Sequence, residues 1–90
     1  MRLEDALFNW LQIKLVAAAR PDDQAALDTA QFFEQILTED HGLGDFAIAK
    51  TDETMIHVKY VKDGRPKLQL FPRESAEQLL ADIEANPKYN

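Results

Sequence analysis

From Leu3 to Ala19 apolar residues recur at spacings of three and four, with Leu3, Leu7, Trp10, Leu11, Leu15 and Ala18 on one stripe. That is the period of an amphipathic helix. Phe8, Ile13 and Val16 widen the apolar arc beyond one narrow face. Arg20-Pro21-Asp22-Asp23 then breaks the pattern. Pro21 disfavours helix at Arg20, Asp22 offers a cap for the next helix, and both aspartates suit the positive end of its dipole. A second helix is predicted from about Asp23 to His41, with Ala26, Ala30, Phe33 and Leu37 as its stripe and Phe32 and Ile36 beside it. Gly42 stops it in the left-handed conformation, so that Leu43 folds back onto Leu37. The short connection favours antiparallel packing of the two helices.

Beyond Gly42 the period falls to two. Three strands are predicted: Asp45 to Lys50, Met55 to Lys62, and a third after Asp63-Gly64. Asp-Gly suits the type I′ turn, whose two central residues both need φ > 0. Pro66, with no N–H to donate, places the third strand at a sheet edge. Phe46, Ile48, Ile56, Val58, Tyr60, Leu68 and Leu70 are expected on the face beneath the helices. Met55, His57, Lys59, Val61, Lys67, Gln69 and Phe71 are expected on the open face. Pro72 ends the third strand, Ser75 with Gln78 forms a capping-box pattern, and Ala76, Leu79, Leu80 and Ile83 stripe a last helix. Asn86-Pro87 ends that helix, and residues 85–90 read as a frayed tail. The order is ααβββα, a single α+β domain over residues 1–90. The expected architecture is a two-layer sandwich, with helices packed on one face of a three-stranded antiparallel meander.

Composition narrows the function classes. The 90 residues contain no cysteine, which excludes disulfides, thiolate metal sites and a Cys nucleophile. Net charge is −6, unevenly spread: between Lys50 and Arg73 six cations face three acids, +3, which leaves −9 elsewhere. A chain this acidic lacks the clustered positive charge that non-specific DNA binding needs. The opening residues lack a signal-peptide pattern, since Glu4 and Asp5 interrupt them. The longest apolar run, Leu15 to Ala19, falls far short of the roughly 20 residues that span a bilayer. A soluble, cytoplasmic protein with no membrane partner is expected.

Candidate chemistry is sparse. His41 follows Glu39 and Asp40, but neighbours on a helix point in different directions and chelate one ion poorly; it reads as a cation at a helix C-terminus. His57 lies mid-strand on the open face, and no carboxylate alternates onto that face to orient it as a general base. The acidic pairs Glu4-Asp5, Asp22-Asp23, Glu39-Asp40 and Asp52-Glu53 sit at helix ends and turns. No segment has the alternate oxygen ligands and central Gly of a Ca²⁺ loop. Ser75, the only serine, reads as a cap, and no phosphate-cradling, zincin or nucleophile-elbow pattern occurs. Trp10 reads as core. No enzyme activity, metal or cofactor is expected.

The best expectation is a protein-interaction or regulatory module, acting through the open face of Met55, His57, Lys59, Val61, Lys67, Gln69 and Phe71, or as a homodimer. It rests on the incompletely polar open face and the wide apolar arc of the first helix. Two alternatives stand behind it. Single-stranded RNA would stack on Phe71 and His57 with Lys59, Lys62, Arg65 and Lys67 nearby, although such binders carry more exposed aromatics. A small ligand would need a cavity between helices and sheet that a small core rarely spares.

Overall fold

The computed structural model describes residues 1–85. Helices α1 (Leu3–Ala19) and α2 (Gln24–Gln35) precede strands β1 (Leu43–Thr51), β2 (Met55–Lys62) and β3 (Arg65–Pro72), and helix α3 (Arg73–Ala85) closes the described chain. The order ααβββα is the one read from the hydropathy pattern, and the fold class is α+β. The strands form one antiparallel sheet in the order β1-β2-β3, so β2 is central and the other two are edges. No helix of the described residues is long and apolar enough to cross a membrane.

Helix α1 lies between α2 and α3 and supplies more of the core than any other element. Ala6, Leu7, Trp10 and Leu11 pack with Leu37, Leu43, Ile56, Val58, Phe71 and Ala76. One turn further on, Val16 and Ala17 pack with Ala26 and Ile83. The wide apolar arc is thus largely absorbed inside the molecule, because α1 has a helix on each side and the sheet below. Ala18, expected on the stripe, is exposed; Val16 and Ala17 take the buried positions. Trp10 is core, edge-on to Phe46 with centroids 5.3 Å apart. Its indole N–H donates to Glu34 at 3.1 Å, which satisfies the one polar atom that burial would strand.

Helix α2 is capped by Asp23 rather than Asp22: the Asp23 carboxylate accepts from the Ala26 N–H at 3.1 Å and pairs with Arg20 at 3.2 Å. The helix does not run unbroken to His41. Ile36–Asp40 form a π turn, in which the His41 N–H reaches back five residues to the Ile36 carbonyl. Gly42, at φ 66°, then reverses the chain into β1, and Leu43 joins Leu37 in the core as expected. Helix α3 also departs from expectation. It starts at Arg73, directly after Pro72, so Ser75 lies inside its first turn and is not the cap. Ala85, expected to open a tail over 85–90, is the last described residue of α3, and the expected helix end at Asn86-Pro87 with the rest of that tail lies outside the described residues.

The turn at Asp63-Gly64 has φ of 54° and 73°, both positive as type I′ requires. It sets Lys62 opposite Arg65, and the pairing runs without a break to Met55 opposite Pro72. Even positions of β2 therefore share a face with odd positions of β3. Phe71 lies opposite Ile56 on the helix side, 7% exposed, its ring 5.6 Å from that of Phe8. Leu68 and Leu70 lie opposite Lys59 and His57 on the other side. The expected assignment of β3 is thus inverted. Phe71 is core, Lys67 and Gln69 share the helix-side face, and Leu68 and Leu70 are outside. A slip of one residue moves every side chain of a strand to the opposite face. Here the alternation of leucines pointed one way and the two-residue turn the other, and the turn decides.

Candidate functional site

The open face of the sheet is built from alternate positions of three strands. β2 contributes Met55, His57, Lys59 and Val61; β3 contributes Pro66, Leu68 and Leu70; β1 contributes Asp45, Ala47 and Lys50. Of the residues expected there, the structure brings together Met55, His57, Lys59 and Val61. It removes Lys67, Gln69 and Phe71 and puts Leu68 and Leu70 in their place. Leu68 is 55% exposed and Leu70 40%. Scattered exposed leucines are ordinary on a protein surface. These two stand on one strand, next to the partly exposed Met55 and Val61, and form a patch. Toward the hairpin, Asp45, Ala47, Lys59, Val61 and Pro66 line a shallow trough of about 250 Å³. Lys59 supplies positive charge at the middle of the open face, and Lys50 does so from β1, opposite His57.

The foot of this face is ordered by a corner that sequence reading missed. Asp52 opens the β1–β2 turn, and its carboxylate accepts from the backbone N–H groups of Thr54 (3.0 Å) and Met55 (2.7 Å). The other carboxylate oxygen lies 2.9 Å from Nε2 of His57. The hydrogen bond from His57, then those from Met55 and Thr54, hold the Asp52 carboxyl well below the usual carboxylate range. His57 therefore has the orienting carboxylate it was expected to lack. The partner comes from the turn, five residues back, and not from an alternating strand position. A sequence signal exists: an aspartate opening a tight turn commonly accepts from the N–H groups two and three residues on, which aims its second oxygen up the following strand. Arg73 closes the corner. Its backbone N–H donates to the Thr54 carbonyl at 2.8 Å and its guanidinium to the Asp52 carbonyl at 3.1 Å, while Nε pairs with Glu77 at 2.9 Å.

Chemically, the Asp52–His57 pair can hold an imidazole in one orientation, but acid–base catalysis also needs a concave place for substrate. The trough described above is lined by other residues, with neither Asp52 nor His57 among them. Base stacking fares no better. Phe71 and Trp10 are buried, Phe46 and Tyr60 pack against the core from the helix side, and the open face carries no Phe, Tyr or Trp among the described residues. His41 turns inward, its Nε2 buried with no hydrogen-bond partner among the described residues, in place of the outward cation expected at the helix end. Among the described residues no group of three or more His, Asp or Glu side chains is placed to hold a metal ion. No family model matches the chain, and no curated protein or solved structure matches it either.

Proposed function

We propose that this protein is an interaction module that acts by docking a protein partner on the open face of its sheet. One observation carries the reading: Leu68 and Leu70 stand exposed on a regular strand whose register is fixed by a two-residue turn. A chain selected only for folding places such a leucine pair in the core, since burying one leucine gains roughly 1.5–3 kcal/mol. Here the strand's leucines face out and its polar Lys67 and Gln69 face the helix side. Local disagreement between pattern and fold is most common where function constrains the sequence. The partner this face suits is apolar where it meets Leu68, Leu70, Met55 and Val61, with an acidic group set against Lys59 among them and another toward Lys50 on β1.

Single-stranded RNA is a weaker reading, because the open face carries no aromatic side chain among the described residues on which a base could stack. The proposal is tested by placing a photoreactive phenylalanine analogue at Lys59, the centre of the open face, and for comparison at Gln24, exposed on α2. Irradiation in native lysate is expected to give one discrete protein adduct from position 59 and none from position 24. The same diffuse pattern from both positions would overturn the reading.

A further inference from the structure

The free edge of β3 is as unusual as its face. A two-residue turn makes Lys62 and Arg65 a hydrogen-bonded pair, and such pairs alternate along an antiparallel ladder. Arg65, Lys67, Gln69 and Phe71 thus turn their backbone groups toward β2, while Pro66, Leu68, Leu70 and Pro72 turn theirs outward. Two contacts agree with this parity. The Arg73 N–H donates to the Thr54 carbonyl at 2.8 Å, the next rung of the β2 side. The outward Leu70 carbonyl is reached by the neighbouring Gln69 side-chain amide at 3.5 Å.

Two of the four outward residues are prolines, so this edge offers N–H donors at Leu68 and Leu70 alone. Proline is one of the devices that keep a strand edge from indiscriminate pairing. The opposite edge is blunted differently, by register shifts in β1 between Leu43 and Asp45 and between Ile48 and Lys50. β3 has no such shift. It is a straight edge with a short window for pairing between two prolines.

We infer that β3 pairs with the β3 of a second copy of this chain, antiparallel, about a two-fold axis at Gln69. This goes beyond the reading of the open face: the second copy adds to the free edge of the same strand and leaves the face itself open to a further partner. In that register Leu68 of each copy lies opposite Leu70 of the other, so every outward N–H of both edges meets a carbonyl. Pro66 falls opposite Pro72, where neither residue has an N–H to strand. The four leucines gather in one apolar cluster on the outer face at the axis, and the two sheets become one. Charge agrees with the same direction. The hairpin tip carries Lys62, Arg65 and Lys67 against Asp63, whereas the far end of β3 is flanked by Asp52, Glu53, Glu74 and Glu77 against Arg73. The two-fold axis sets the basic end of each copy against the acidic end of the other.

The test is made on the purified chain. Sedimentation equilibrium at about 100 µM, enough to populate a dimer of micromolar affinity, is expected to give twice the 10.3 kDa chain mass. At that concentration the Leu68 and Leu70 amides are expected to exchange with deuterium slowly, although the strand parity gives neither a partner among the described residues of one chain. Leu70→Pro removes an N–H that no described residue of the single chain uses, and should return the mass of one chain with an unchanged far-UV spectrum. A single-chain mass for the unsubstituted protein would overturn the inference, as would a dimer in which both amides exchange freely. Because the exchange measurement needs no substitution, a misfolded Leu70→Pro leaves the inference open to refutation. If the chain is monomeric and position 59 captures a different protein, the second copy is wrong and the open face stands; if position 59 captures nothing, the face reading itself falls.

Discussion

At the scale of single residues, Phe71 and Leu70 carry the sharpest contrast, because they are neighbours on one strand with opposite fates. Phe71→Ala removes a ring packed on Phe8 and Ile56 and is expected to cost about 3–5 kcal/mol, the range for a truncated core aromatic. Leu70→Ala removes exposed surface and is expected to cost at most about 1 kcal/mol. Urea midpoints at matched m-values, taken in dilute protein, check the pair; the reverse order would return Leu70 to the core. Asp52 makes a second prediction. Its carboxyl is held below its ordinary value of 3.8 in the folded chain by His57 and by the Met55 and Thr54 N–H groups. The unfolded chain therefore binds that proton first, so the stability Asp52 contributes is present above about pH 4 and fades as pH falls through the depressed folded value. Asp52→Asn should be less stable than the parent at neutral pH and approach it in acid. A constant gap across the titration would show that the carboxylate's charge is not what orders the corner.

Among the elements, the ones legible in the sequence were those with a long period and clear punctuation. Helix α1 runs from Leu3 to Ala19 as read, and the β2–β3 turn has the two positive φ angles that Asp-Gly demands. Gly64→Val should therefore destabilise the protein, since a β-branched residue at positive φ is strongly disfavoured; an unchanged thermal midpoint would contradict the turn assignment. What the pattern did not show has physical reasons. The π turn at Ile36–Asp40 falls in a stretch whose last four residues, Thr38 to His41, are all polar, so no apolar position fixes the helical phase there. The start of α3 at Arg73 is set by a tertiary bond to the Thr54 carbonyl, and the Ser75 capping pattern does not act. The inversion of β3 is different in kind. Its register was derivable from the two-residue turn, but the Leu68–Leu70 alternation outweighed it. The candidate face is legible in part for that reason: Met55, His57, Lys59 and Val61 lie on the open face as their alternation indicates, whereas Lys67, Gln69 and Phe71 lie on the helix side and their neighbours Leu68 and Leu70 take the open face.

On the scale of the whole molecule, the helices cover one face of a three-stranded sheet and leave the other bare. α1 spends its wide apolar arc on α2, α3 and the sheet, and the large apolar side chains left exposed include Leu27 and Phe32 on α2 as well as, on the sheet, the pair Leu68 and Leu70. That pair lies in the segment where positive charge collects, in a chain that is otherwise strongly acidic. The proposed docking of a protein through Leu68 and Leu70 would meet both facts at once: the leucines call for an apolar counterpart, and Lys59 beside them favours an acidic group within it. The most direct measurement is the yield of the photo-adduct from position 59 in a chain carrying Leu68→Lys and Leu70→Lys, compared with the unsubstituted leucines. With the leucines on the open face, the adduct is lost while the substituted chain, in dilute solution, unfolds cooperatively at a similar midpoint. An adduct of undiminished yield would contradict the account, and so would a chain that no longer folds.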